Sequence, residues 1–234
     1  MPPESSDHPL HVALTRIGAE LGLDPTSLPV DRLLAYLDLL QRWNATYNLT
    51  AVREPQQMLT QHLADCLAVV DPLSRQLDQV PRSDSDKSPS LRVLDVGSGG
   101  GLPGVVLAAM FPRWQVVCVD TVGKKAAFIR QVAAELGLGN LDAEHARVEA
   151  LRAVPFDVIT SRAFSSLVEF TRLTRQLLAP QGVWMAMKGK VPRDEISALP
   201  AEIQVFHVEP LAVPGLDAER CLVWMRPADS ALTV

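Results

Sequence analysis

Asp95-Val96-Gly97-Ser98-Gly99-Gly100-Gly101-Leu102-Pro103-Gly104 is the stretch on which the fold turns. Before it, Leu91 to Val96 is a short run of the buried-strand type; after it, apolar residues recur at helical spacing from Leu102 to Met110. Glycines between a strand and a helix let the backbone bend tightly and meet a ligand with no side chain in between. In open α/β sheets such a turn lies at the carboxyl end of its strand, where ligands bind. Asp120 closes the next strand-like run, Gln115 to Val119, and stands 23 residues after Gly97, placed to accept two hydrogen bonds from ribose hydroxyls. Gly99-x-Gly101-x-x-Gly104 also fits the dinucleotide fingerprint, so an NAD-dependent oxidoreductase stays open on that pattern alone. S-adenosyl-L-methionine is favoured by two features. Asp95 can organise the loop and meet the ammonium of a methionine moiety, whereas beside a pyrophosphate it would be repulsive. Pro103 removes a backbone donor that a phosphate would use. Asp95, Gly97, Gly99, Gly101 and Asp120 are therefore the candidate cofactor residues.

Outward from the loop, strands and helices alternate. Gly123-Lys124-Lys125 opens a helix that runs from Lys124 to Leu136 and is closed by Gly137 and Gly139. Leu141 to His145, Phe156 to Thr160 and Val183 to Met187 read as strands, with a helix expected over Ser165 to Leu178. Ile203 to Val208 and Cys221 to Met225 read as a closing antiparallel hairpin. The pattern predicts an open, mostly parallel sheet with helices on both faces. The N-terminal third reads as helical instead. Leu33, Leu34, Leu37, Leu40 and Trp43 share one face behind a capping Asp31, and a second helix opens at Pro55, with Trp43 to Thr50 as the turn between them. Residues 1–77 are thus expected to form a helical cap, 78–90 a polar, mobile connection and 91–234 the sheet domain, with cap and sheet forming one compact unit.

Composition excludes several classes. The chain has 234 residues, 47% of them hydrophobic, enough for a sizeable core and too apolar for disorder. The longest apolar run, near Leu102 to Phe111, is about half of a membrane span, and the N-terminus carries no signal-like basic residue. Cys66, Cys118 and Cys221 are widely spaced and read as reduced core thiols, which points to the cytoplasm. The net charge of −5 argues at first against a nucleic acid. Resolved by segment, residues 1–90 carry −5 and residues 121–175 carry +2, so a local basic patch survives within an acidic chain. Such a patch implies narrow recognition and a shallow salt dependence.

Six stretches occur in order: Trp43-Asn44-x-x-Tyr47-Asn48-Leu49-Thr50, His62-Leu63-x-Asp65, the glycine loop, Asp120-x-x-Gly123-Lys124-Lys125, Ser161-Arg162-Ala163-Phe164 and Lys188-Gly189. As a set, from about residue 30 to about residue 226, the chain resembles the 16S ribosomal RNA guanine-N(7) methyltransferase G family, also called glucose-inhibited division protein B. The resemblance implies a class I methyltransferase: a Rossmann-like, seven-stranded sheet with an antiparallel closing strand, plus an N-terminal helical cap. It implies methyl transfer from S-adenosyl-L-methionine to nitrogen-7 of one guanine in 16S ribosomal RNA, with that RNA or the small subunit as partner. It places further cofactor contacts on Gly97, Leu102, Val148, Glu149 and Arg162. No membrane partner is implied, and a monomer is expected. Gln61 stands where the family usually has an arginine and Cys66 where serine is commoner, while 78–90 looks like an insertion.

Nitrogen-7 has an in-plane lone pair and no proton at neutral pH, so methylation there needs positioning rather than a general base. Arg162, after the fourth strand, can hold either the methionine carboxylate or an RNA phosphate. Arg53, Lys124, Lys125, Arg130 and Lys188 are candidate phosphate contacts. Asn48 is a candidate for positioning the acceptor base, and Tyr47 and Phe164 are either stacking aromatics or core. His62, Asp65 and Cys66 share a helix, but no further cluster completes a metal site, so no metal is expected.

Overall fold

A computed structural model describes residues 8–78, 91–164 and 166–228. The expected connection at 78–90, apart from Asp78, lies outside the described residues. The helical portion comprises α1 (His11–Glu20), α2 (Val30–Tyr47), α3 (Pro55–Met58), α4 (Asp65–Leu67) and α5 (Val70–Asp78), with a π-helical stretch, Leu59–Ala64, joining α3 to α4. Then come β1 (Arg92–Val96), α6 (Gly104–Met110), β2 (Gln115–Asp120), α7 (Gly123–Glu135), β3 (Leu141–His145) and β4 (Phe156–Ser161). The chain continues through α8 (Leu167–Thr174), β5 (Leu178–Lys188), α9 (Arg193–Ser197), β6 (Ile203–Pro210) and β7 (Cys221–Pro227).

The seven strands form one sheet in the order β3-β2-β1-β4-β5-β7-β6. The pairs among β1 to β5 are parallel, and β7 runs antiparallel between β5 and β6. Successive units move outward in one direction from β1 to β3 and in the other from β4 to β5. The reversal falls between β1 and β4, where the loops after both strands diverge and leave a crevice.

Strand alternation divides the core in two. Val93 of β1, Cys118 of β2 and Trp224 of β7 face a cluster that includes Leu14, Leu33 and Leu63 of the helical portion. Leu94, Val96, Ile159 and Trp184 face the other side, beneath Phe170 of α8. One continuous apolar cluster therefore joins residues before and after the connection. All three cysteines are buried and unpaired.

Three local expectations need correction. Asp31 does not cap α2: Pro29 holds the cap position and Asp31 lies in the first turn, where its charge suits the helix dipole. The Trp43-to-Thr50 stretch is not mainly a turn, because α2 continues to Tyr47 and stops at Asn48 in the left-handed region, φ 50°. Buried Asn44 is kept helical by useful work for its side chain, which donates to Val52 O at 3.1 Å and accepts from Thr50 N at 2.9 Å, holding the next loop. The helix expected over 165–178 is shorter. Ser166 caps α8 by accepting from Glu169 N, a 3₁₀ turn follows at Arg175–Leu177, and Leu178 already pairs with Phe156 as strand.

Candidate functional site

The glycine loop is fixed from below. Asp95 is fully buried, and its Oδ2 accepts from Gly104 N at 2.8 Å, tying the end of β1 to the start of α6. A Cβ on Gly104 would collide with Cys118 Sγ and press on Asp95, so only glycine permits this approach. Burial pushes the Asp95 carboxyl up to about 7, against the pull of the Gly104 N–H and the Arg162 charge. From above, Tyr36 of α2 donates its buried hydroxyl to Gly100 O at 2.8 Å. Asp120 accepts from Gly99 N at 3.0 Å and from Val122 N at 2.9 Å, with Lys125 Nζ at 3.6 Å.

Over this loop lies a cleft of about 480 Å³, lined among others by Gly97, Asp120, Lys125, Val148, Glu149 and Phe164. Gly97 has φ +67° with open space where a Cβ would project, so the cleft begins at bare backbone. A backbone cradle, a carboxylate on its rim and an apolar wall suit a nucleoside with a short polar tail, and the residues present fit S-adenosyl-L-methionine. Gly99, Gly101 and Leu102 shape the loop without lining the cleft, Leu102 being buried. Asp95 lies beneath the loop and likewise stays out of the lining. Lys125, a candidate phosphate contact in the sequence, lines this cleft.

A second cavity, of about 440 Å³, is lined by Gln61, His62, Asp65, Arg162, Phe164, Met187, Lys188, Gly189 and Arg220. Phe164 lines both spaces. Asp65, 3% exposed, stands between two guanidiniums: Arg220 Nε donates to Oδ1 at 2.8 Å, and Arg162 Nη1 lies 3.4 Å from Oδ2. Arg162 Nη1 also donates to Gln61 O at 3.0 Å, a backbone contact that does not depend on the glutamine side chain. Arg162 thus lines the second cavity. Lys188 Nζ is held by Glu195 of α9 at 2.9 and 3.0 Å. His62 meets Thr50 Oγ1 at 2.8 Å, and burial together with the Arg162 charge lowers its pKa, which keeps the ring neutral. Burial raises the Cys66 thiol, leaving it inert. His62 and Asp65 therefore serve different partners, and among the described residues no group of three or more His, Cys, Asp or Glu side chains could hold a metal. The π-helical stretch carries Gln61 and His62 towards the cavity, a use such irregular turns often have.

The remaining candidates lie outside both linings. Asn48 is exposed and accepts from Arg53 Nη2 at 2.7 Å. Tyr47 is 41% exposed, with Lys124 Nζ 5.9 Å from its ring centre. Arg130 is exposed on α7. Arg220 and Tyr36 were not among the sequence candidates. Arg220 precedes β7 with no motif around it, and Tyr36 sits among leucines on the apolar face of α2. A tyrosine at such a core position was the available signal, since a buried hydroxyl needs a partner.

A family model described as "GidB: rRNA small subunit methyltransferase G" matches residues 30–223. The chain belongs to this family. The "Ribosomal RNA small subunit methyltransferase G" of Acidovorax sp. (strain JS42) is 61% identical over 207 residues, covering 88% of this chain and 91% of the relative. Among solved structures, TrmN from Thermus thermophilus superposes with a TM-score of 0.52 at 20% identity, over 73% of this chain and 53% of that one. A mutant of MtNAS in complex with S-adenosylmethionine gives 0.55 at 15% identity, over 94% and 99% of the two chains. These likenesses concern the fold alone. As a family member the protein is an S-adenosyl-L-methionine-dependent rRNA methyltransferase, with the mostly parallel seven-stranded sheet, antiparallel closing strand and helical cap of the class I fold. No helix among the described residues is long and apolar enough to cross a membrane.

Proposed function

We propose that the protein methylates nitrogen-7 of a single guanine in 16S ribosomal RNA, acting in the cytoplasm as a monomer on that RNA or on the small subunit. The observation that carries this reading is the meeting of the two spaces at Phe164: a nucleoside-type cleft on one side, a cation-lined cavity on the other. Bound S-adenosyl-L-methionine supplies an electrophilic methyl group on a sulfonium. The chain's part is to hold, orient and exclude water. Gly97 and Asp120 receive the nucleoside, with Val148 and Glu149 beside it, while Asp95 and Tyr36 keep the loop in shape. Arg162 and Arg220 meet an RNA phosphate so that the guanine enters the cavity edge first. Held there, the sulfonium methyl would lie open to the in-plane lone pair of nitrogen-7, a transfer that would ask no proton of the chain. No base is needed, in keeping with a neutral, Thr50-bound His62 and an Asp65 committed to two arginines.

Exposed Lys124, Arg130 and Arg53, with Tyr47 and Asn48 beside them, provide outer contacts to the RNA backbone. Labelled methyl transfer to small subunits and to free 16S RNA, followed by mapping of 7-methylguanosine, tests the reading. One modified guanine is expected. Label in protein, in an exocyclic amine or at a pyrimidine carbon would overturn it, as would tight NAD binding without any response to S-adenosylhomocysteine.

A further inference from the structure

We propose that the ring of Phe164 stacks against the guanine that receives the methyl group and sets the plane of that base. The inference rests on the methyltransferase reading above and adds a residue in contact with the acceptor.

Phe164 is the residue common to the linings of the cleft and the cavity. It follows Arg162 at the carboxyl end of β4, the strand beside the reversal in the sheet, where transfer must take place. Its ring is braced from behind by Phe170, itself buried, with centres 5.7 Å apart and planes tilted by 47°. The ring is only half-buried, so it keeps a surface towards the two spaces. In the cavity its neighbours are Arg162, Arg220 and Lys188, a carboxylate, the imidazole of His62 and the thioether of Met187. Phe164 is the sole phenyl or indole ring on that wall among the described residues.

The chemistry needs such a ring there. The nitrogen-7 lone pair lies in the plane of the base, so attack on the methyl requires that this plane contain the line from nitrogen to carbon. Guanidiniums fix phosphates and leave the base free to roll about its glycosidic bond. Contact of one face with a braced aromatic ring removes that freedom, and it does so for an unpaired nucleotide drawn out of its stack. An aromatic ring at the boundary between the two spaces sets this plane at the point of transfer. A ring deeper in either space would orient the cofactor or the RNA without aligning one to the other.

Substitution in the full chain separates stacking from packing. Phe164→Tyr keeps the flat face, whereas Phe164→Leu keeps an apolar side chain of similar bulk and loses the face. Both variants are to be compared with wild type by thermal unfolding, by calorimetry with S-adenosyl-L-methionine, and by methyl transfer to small subunits at saturating cofactor. Phe164→Tyr is expected within about threefold of wild type in kcat/KM for RNA, and Phe164→Leu lower by about 10- to 100-fold, with cofactor affinity in both within about threefold. Equal activity of the two variants, or a loss that follows cofactor affinity or unfolding, overturns the proposal. An inactive wild type overturns the methyltransferase reading and this proposal together, whereas an active wild type with an undisturbed Phe164→Leu overturns the proposal alone.

Discussion

The cofactor cleft and the cationic cavity sit side by side along one edge of the same sheet and share Phe164, yet the chain assembles them in opposite ways. Much of the cleft comes from short segments just after β1, β2 and β3: Gly97, Asp120 to Lys125, and Ala146 to Glu149. Its bonds span shorter stretches of chain, 21 residues from Gly99 N to Asp120 and 2 from Val122 N to Asp120. The cavity draws Gln61 and Asp65 from the cap, Arg162 from the end of β4, Lys188 from the end of β5 and Arg220 from the residue before β7. Its central bond, Asp65 to Arg220, spans 155 residues. A cleft built on backbone tolerates side-chain change except where a Cβ would intrude. A cavity built on charges depends on a carboxylate that keeps two cations apart and aimed.

If that contrast holds, substitutions should separate cofactor binding from RNA binding. The largest effect is expected from Gly97→Val, which forces a β-branched residue to a positive φ and projects it into the cleft. Cofactor affinity should fall by at least about 100-fold while RNA affinity stays within about threefold, measured by calorimetry and by gel shift. Equal loss of both would erase the distinction. Asp65→Ala works from the other side, since it leaves Arg162 and Arg220 to repel one another. KM for RNA should rise about tenfold with cofactor affinity unchanged. The same change should cost about 2 kcal/mol of stability, read as a lower Tm, because the two guanidiniums are 27% and 26% exposed and not wholly desolvated.

Tyr36→Phe tests where the cap meets the loop. Loss of the hydrogen bond to Gly100 O should weaken cofactor binding about three- to fivefold and leave kcat at saturation unchanged. Leu33→Ala, a core change on the same helix, serves as the control: it should lower Tm without weakening cofactor binding. Equal weakening in both would reduce Tyr36 to a packing residue.

Asp95→Asn is expected to act on stability and on its pH dependence rather than on binding. The folded-state pKa of Asp95, about 7, lies above its ordinary value of 3.8, so the native protein holds a proton that the unfolded chain releases. Asp95 therefore removes stability as pH rises from about 4 to about 7, and the loss is complete above that window. Relative to wild type, the Tm of Asp95→Asn should be nearly equal near pH 4 and higher by on the order of 5 °C at pH 8. A constant Tm difference across that range would contradict the assignment.

Much of this was legible in the sequence because its signals are local. Asp95 to Gly104, the seven strand-like runs and Asp120 each depend on neighbours a few residues away, and they placed the sheet and the cleft. Phe164 was visible as an aromatic but not as the wall between two spaces, a property of the fold. Arg220 was invisible because nothing near it in the chain explains it; only the return of the chain to β7, beside β5, brings it to Asp65. Arg162 was visible as a functional arginine with two possible ligands, but not the groups that hold it, Asp65 and Gln61 O, which the cap supplies. The overlong turn expected at Trp43 to Thr50 came from reading Asn44 by its intrinsic preference. Its side chain bonds forward to the loop while its backbone stays helical.

The proposed division of labour converges on Arg162, which lines the second cavity and is proposed to serve the acceptor side. The most direct measurement is Arg162→Ala, with cofactor affinity by calorimetry and methyl transfer to small subunits determined on the same preparation. Affinity for S-adenosyl-L-methionine should remain within about threefold of wild type while transfer falls by at least about 100-fold. Full transfer, or a loss of cofactor affinity large enough to account for the lost transfer, would contradict the account.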